Sequence, residues 1–336
     1  MASSSPPPSS GRLRNGLVLA LVLALVGGSS ALLLLLMRQR QQLAVAITTW
    51  PGYEYFYLAE QEALGRPFGL ALKVQQYSSL VDQRQAFERG DVPVLATTVP
   101  EAIAICQEMP ERCPLLVLVL DESLGADRIV ARRDLREPAQ LRGRRIGLER
   151  SVLGEYMLVR SFGDKPIPLA QLQRTFDGPA ALVQGLQRGD LDAIVTYAPH
   201  DAPLLADPRF HVLFSSRAIP GEVVDVLAVD PAFARRSPKD VQALIQTWWA
   251  ARAFAHRQPE QAVALMAQRQ QTTPDEFRSS ERELNYPSPV QQTRLLAPTG
   301  PLARSIQQMA ALMQASGGIR AGAPLPQLSS AYLGAP

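Results

Sequence analysis

The 336-residue sequence predicts an α/β fold built as two matched lobes. Three observations carry this. Strand-like and helix-like segments alternate from Leu43 to Val229, the pattern of largely parallel sheets. Two stretches about 100 residues apart align without a gap, "AFERGDVPVLATTVPEA" (Ala86–Ala102) and "GLQRGDLDAIVTYAPHD" (Gly185–Asp201), a spacing too long for a solenoid unit and suited to one lobe. The length also exceeds what one hydrophobic core usually holds.

The chain opens with a polar Pro/Ser-rich leader, residues 1–15. It continues into "GLVLALVLALVGGSSALLLLLM", Gly16 to Met37, which has no charge and is long enough to cross ~30 Å of hydrocarbon as a helix. Signal-peptide cores run to about 15 residues, so the span favours an uncleaved transmembrane anchor. A long signal peptide cut after Ala46 is the alternative, and it would shave the first strand. Arg12 and Arg14 before the span and Arg38 and Arg40 after it leave its orientation open.

In the first half, strand Leu43–Thr48 leads to helix Tyr53–Leu64, strand Leu70–Gln76, helix Val81–Arg89 and strand Val92–Ala96. The second half repeats the order with strand Arg145–Leu148, helix Val152–Phe162, strand Leu172–Phe176, helix Pro179–Arg188 and strand Ala193–Val195. In both aligned stretches a helix stops at glycine, a short β-rich strand follows, and proline opens the next helix. Between the halves, the apolar run Leu115–Leu120 breaks at "DESLGAD" and resumes as Ile129–Ala131. After strand Val223–Val229 only helices are expected, over Asp240–Gln258, Glu260–Gln270 and Ala303–Ala315, and residues 317–336 read as a flexible tail.

Composition narrows the function. A net charge of +3, with no clustered Lys/Arg among stacking aromatics, argues against nucleic acid. At 46% hydrophobic residues the chain is not disordered. Cys106 and Cys113, the only cysteines, flank "QEMPER" and either close a small disulfide loop or remain two free thiols; no metal spacing is present. No Ser-His-Asp order or phosphate loop emerges, and His200, His211 and His256 are scattered. Neither a cofactor nor an enzymatic activity is expected.

In open α/β sheets ligands bind beyond the carboxyl ends of the strands. That rule selects Thr49-Trp50, Ser78-Ser79 and Thr97-Thr98 in the first half, and Glu149 to Val152 and Thr196-Tyr197 in the second. Ser79, Thr97 and Thr98 offer hydroxyls, although helix capping would use them equally well. Ser151 and Val152 begin a helix, whose free N–H groups suit an anion or a carbonyl.

In order along the chain, "ITTWPGYEYFYLAEQEALG", "YSSLVDQRQAFERGDVPV", "VLVLDESLGADRIVARRDL", "LRGRRIGLERSVLGEYML" and "GDLDAIVTY" resemble the nitrate/sulfonate/taurine class of ABC-importer solute-binding proteins, the NMT1/THI5-like group. The resemblance covers roughly Ala44 to Ala315. It implies a type II periplasmic-binding-protein clamshell whose chain crosses to a second lobe and returns. The expected divisions are 43–122 for lobe I, 123–221 for lobe II, and 222–316 for the return strand and C-terminal helices of lobe I. The crossings fall at Asp121–Arg128 and Ile219–Asp225, with Gly125 and Gly221 as hinge candidates. Trp50 and Tyr53 match a W-x-G-Y type loop in that group, and their faces could stack on a planar or cationic ligand.

The cleft edge so defined carries Asp121, Asp127, Glu149, Glu222 and Asp225, which suit an amine, guanidinium or nitrogen heterocycle better than a small oxyanion. The expected protein is a monomeric solute-binding component, single-pass in the inner (plasma) membrane, with its soluble domain in the periplasm or outside. It captures a small polar ligand, nitrogenous and cationic or of sulfonate type, between its lobes and hands it to a permease and ATPase. An anchored ligand sensor is the alternative, and a THI5-like pyrimidine-synthesis enzyme a more remote one, since that group's histidine and cysteine-rich iron-associated segment find no match here.

Overall fold

The computed structural model describes residues 42–163 and 167–334. The expected leader and the anchor over 16–37 lie outside the described residues; among the described residues, no helix is long and apolar enough to cross a membrane. Residues 43–336 form one compact unit.

From Leu43 the chain runs through β1 (Leu43–Ile47), α1 (Glu54–Gln61), β2 (Leu72–Gln76), α2 (Leu80–Arg89), β3 (Val94–Thr98), α3 (Val99–Glu108) and β4 (Leu115–Ser123). It then builds β5 (Asp127–Arg132), β6 (Arg145–Leu148), α4 (Val152–Ser161), β7 (Gln173–Phe176), α5 (Pro179–Arg188), β8 (Ala193–Tyr197), α6 (Ala202–Leu205) and β9 (Phe210–Ser215). It returns through β10 (Val224–Val229) and adds α7 (Pro231–Arg236), α8 (Pro238–Arg257), α9 (Pro259–Arg269), α10 (Pro274–Glu281), β11 (Leu284–Asn285), α11 (Pro289–Leu295), α12 (Pro301–Ala315) and β12 (Gln327–Leu328).

The strands form two sheets. One has the order β11-β4-β10-β3-β1-β2, with β12 also on β4; the other has the order β7-β6-β8-β5-β9. Read from β2 and from β7 they match. Each has a parallel trio with its first strand in the middle, then an antiparallel strand (β10 on β3, β5 on β8), then one more antiparallel strand (β4, β9). The internal repeat is therefore an architectural one, with α2 and α5 both ending at a left-handed glycine, Gly90 and Gly189.

In the first sheet β3 and β10 are buried along their whole length. Trp248 of α8 packs on Phe56 and Tyr55 of α1, with ring centroids 4.9 and 5.4 Å apart. The C-terminal helices do not all stay on the first sheet's lobe. Ile306, Met309 and Met313 of α12 share an apolar cluster with Leu153 and Met157 of α4, and the Leu169 N–H bonds to the Ser316 carbonyl at 3.0 Å. The last residues are not a loose tail. Gln327-Leu328 pair with Leu115-Leu116 of β4, and the Ser329 N–H reaches the Leu116 carbonyl at 2.9 Å. Cys106 and Cys113 form a disulfide.

The two crossings are short and bonded to each other. β4 runs on to Ser123, so Asp121 lies inside a strand and only Leu124–Ala126 link the sheets. The Ser216 hydroxyl, on the return, lies 2.8 Å from the Ser123 hydroxyl and accepts from the Gly125 N–H at 2.7 Å. Gly125 (φ +130°) and Gly221 (φ +77°) both adopt backbone that side chains disfavour, one in each crossing. Arg128, just past the first crossing, ion-pairs with Asp201 of the second lobe and with Glu283, which precedes β11 in the first.

Candidate functional site

A cavity lies between the lobes, walled by Thr48, Trp50, Tyr53, Leu80, Thr98 and Asp225 on one side and by Asp127, Leu153 and Tyr197 on the other. Its volume is about 20 Å³, room for roughly one water molecule.

Local backbone explains how the side chains converge. The loop after β1 turns through a short 3-10 segment, Pro51–Tyr53, that buries all three of its residues. Gly52 there is pressed against the Asp121 carboxylate and the Trp50 indole; an added Cβ would collide with both. The glycine thus lets Trp50 and Tyr53 lie against two acids. The Trp50 indole N–H donates to Asp121 at 3.2 Å and the Tyr53 hydroxyl donates to Asp225. Trp50 also meets Tyr197 edge to face, with centroids 6.1 Å apart.

The acids follow the repeat. Asp225 sits opposite Thr98 in the β10–β3 pairing, and Asp127 sits opposite Tyr197 in the β5–β8 pairing. Thr98 and Tyr197 are equivalent positions of the two aligned stretches. Each lobe therefore sends one aspartate into the cavity from the same place. Asp121, beside Asp225 on β4, joins them.

Asp121, Asp127 and Asp225 are all at least 97% buried, and among the described residues none of the three ion-pairs with a lysine or arginine. Arg128, next to Asp127 in the chain, is committed to Asp201 and Glu283. Burial raises the affinity of all three carboxyls for protons, because a charge there has lost its water. It pushes Asp127 up to about 7, against the opposing pull of Ser123 and Arg128. Burial raises Asp121 to about 7 and Asp225 well above the usual carboxylate range; the charge of Asp121 raises Asp225 further, while the Trp50 N–H and Asp225 pull Asp121 the other way, so the two behave as a pair. The Tyr53 phenol, raised by burial and by Asp225, stays a donor. Glu149 is also pushed up, to about 7, mainly by burial, while its bond to Tyr197 pulls the other way.

Not every expected residue lines this cavity. Trp50, Tyr53, Thr98, Asp127, Tyr197 and Asp225 do, and Asp121 supports them from behind Trp50. Ser79 does not: its hydroxyl caps α2 through the Asp82 N–H at 3.1 Å and faces an outer groove between the lobes that also holds Glu149 and His200. Thr97 is buried and does not line the cavity, because successive strand residues face opposite ways. Glu222 is bound to Tyr156 and Arg160 of α4, beside the return crossing. The N–H groups expected at Ser151 and Val152 for a ligand are also taken. The Ser151 hydroxyl caps Gly154 at 3.0 Å, and the Val152 and Leu153 N–H groups donate to the Glu101 carboxylate at 2.6 and 3.3 Å. Glu101, Thr48, Leu80 and Leu153 were missed in the sequence. Glu101 follows Pro100 in the repeat, and nothing local marks a glutamate that reaches the other lobe.

Comparisons with known proteins agree with this fold. The NMT1-like family model matches residues 168–269. The taurine-binding periplasmic protein of Escherichia coli K12 is 25% identical over 266 residues, 75% of this chain and 80% of that protein. The chain resembles the nitrate/sulfonate/taurine binding-protein family. Its fold is also that of the alkanesulfonate-binding protein SsuA from Xanthomonas axonopodis pv. citri bound to MOPS, with TM-score 0.67 at 16% identity over 83% of this chain and 94% of that one. The desulfurization enzyme DSZB shares the fold as well, with TM-score 0.58 at 16% identity over 88% of this chain and 98% of that one. The fold is thus shared by a sulfonate-binding protein and by a desulfurization enzyme.

Proposed function

We propose that this chain is an extracytoplasmic solute-binding protein of an ABC import system, and that its ligand is a small organic cation such as an amine, guanidine or amidine. The observation that carries the ligand class is the set of buried aspartates, Asp127 and Asp225 lining one cavity and Asp121 beside Asp225, none of which has a basic partner among the described residues. A buried acid is tolerated when protonated or when a cation sits against it. Trp50, Tyr53 and Tyr197 give such a cation aromatic faces as well as carboxylates. A sulfonate or nitrate would meet negative charge on both walls.

Capture follows from the hinge. The lobes part at Leu124–Ala126 and at the Ser216–Val223 return, the ligand enters, and reclosure buries it between Asp225 on one wall and Asp127 on the other. The span 16–37 would hold the protein at the membrane, raising its effective concentration at a permease. The Cys106–Cys113 disulfide suits an oxidising compartment. The reading is tested by calorimetric titration of the full chain at pH 7.5 with alkylamines, guanidines and amidines beside taurine, methanesulfonate and nitrate. Saturable binding within the cationic set is expected. Saturable binding of sulfonate or nitrate, with none of any cation, would reject it.

A further inference from the structure

The N-terminus of α4 is where a helix in this cleft would ordinarily offer its N–H groups to an anion. Here every one of its first four donors is engaged within the protein. Val152 and Leu153 donate to Glu101, Gly154 donates to the Ser151 hydroxyl, and Glu155 donates to the Ser151 carbonyl at 3.3 Å. Glu101 comes from the other lobe, in the first turn of α3. It is fully buried, its second carboxylate oxygen has no hydrogen-bond partner, and its nearest basic group, the Arg84 Nε, stands 3.8 Å away.

We infer that Glu101 is a specificity-determining residue: its carboxylate occupies the α4 N-terminus in the place of a ligand's anionic group, and so removes anions from the range of solutes the closed cleft accepts. A carboxylate spans a first helical turn much as a sulfonate or ligand carboxylate would, and satisfies both the N–H groups and the positive end of the helix dipole. An external anion would have to displace a tethered one. The same contact joins the lobes, so closure supplies the counter-charge that an anionic solute would otherwise bring. The inference deepens the cationic reading of the cleft and rests on it for context, but it depends on a different residue.

The test compares wild type, Glu101→Ala and Glu101→Gln as full chains at pH 7.5, each titrated with sodium methanesulfonate and, separately, with methylguanidinium chloride. Wild type serves as the control for ionic strength. Glu101→Ala frees the two N–H groups and should bind methanesulfonate at least about tenfold more tightly than wild type. Glu101→Gln keeps the place filled and should gain less. If Glu101→Ala folds poorly in chloride, refolding it in methanesulfonate reads the same property: recovery of the melting transition supports the inference. A folded Glu101→Ala with no gain over wild type, or a misfolded one that the sulfonate does not recover, overturns it. Failure of methylguanidinium to bind wild type would count against the aspartate cleft alone, because the sulfonate gain in Glu101→Ala is read independently.

Discussion

The two lobes repeat one plan and charge it differently. In each, an antiparallel strand delivers an aspartate opposite the last residue of the third parallel strand: Asp225 beside Thr98, and Asp127 beside Tyr197. The first lobe then doubles the acid, because β4 brings Asp121 to Asp225. The second does not. Asp127 is supported there by Ser123, and the adjacent Arg128 is tied to Asp201 and Glu283. The difference teaches that a repeated backbone can present one recognition position twice while the neighbouring strand decides how strongly each is charged. The first wall should hold the cation, and the second should complete its enclosure.

The largest effect expected concerns the second wall's own neutralisation. Replacing Arg128 with methionine leaves Asp201 buried without its cation and cuts the link to Glu283, so unfolding free energy should drop by about 3 kcal/mol. Urea denaturation measures it; a loss below about 1 kcal/mol would mean that the tie between lobes is slack. Next comes the asymmetry itself. Asp225→Asn should weaken a cationic ligand on the order of 100-fold and Asp127→Asn about tenfold, read by titration calorimetry at pH 7.5. Equal losses, or the reverse order, would break the comparison.

A smaller, graded effect follows from protonation. The carboxyls of Asp127 and Glu149 are raised to about 7, above their unfolded values near 4. The folded form therefore binds more protons than the unfolded form between those values, and these groups make the ligand-free protein less stable as pH rises from about 4 to about 7. Cation affinity should move the other way, rising through pH 7 as the acids ionise. Melting curves with and without methylguanidinium from pH 5 to pH 8.5 check both slopes, and an affinity that does not change with pH would show that the acids are not the ligand's partners. Smallest of all, Asp121→Asn removes a buried carboxylate that has lost its water and should stabilise the ligand-free protein at pH 8 by about 1 kcal/mol, seen as a higher melting temperature.

Much of this was legible in the sequence, for a physical reason. Helix and strand periods, glycine stops such as Gly90 and Gly189, and proline starts such as Pro179 are local signals, so the alternation and the repeat could be read directly. The acids at the break after Leu120 were visible too, and structure sharpened them: Asp121 and Asp127 are strand residues on either side of a three-residue link. What escaped reading was non-local. The two-residue strands β11 and β12 have no period of their own and exist because β4 offers them an edge. Glu101 looks like an ordinary first-turn acid, and only the folding of α3 against α4 reveals where its carboxylate goes. Serine hydroxyls were over-read for the same reason, since helix ends near the cleft claimed Ser79 and Ser151 first.

The docking of the C-terminal segment has a consequence for handling the protein. β4 is an outer strand, and its free side is shared between β12 at Leu115-Leu116 and β11 at Glu122-Ser123. Between them the Gln292 side chain holds both the N–H and the carbonyl of Val119 at 2.9 Å, so the apolar strand "LLVLVL" is guarded at its start and its middle against pairing with another molecule. A chain trimmed before Leu325 to discard an apparently dispensable end would bare half of that edge. Such a product should fold, bind as before and self-associate, so the Gln327-Leu328 strand acts as a built-in guard against aggregation.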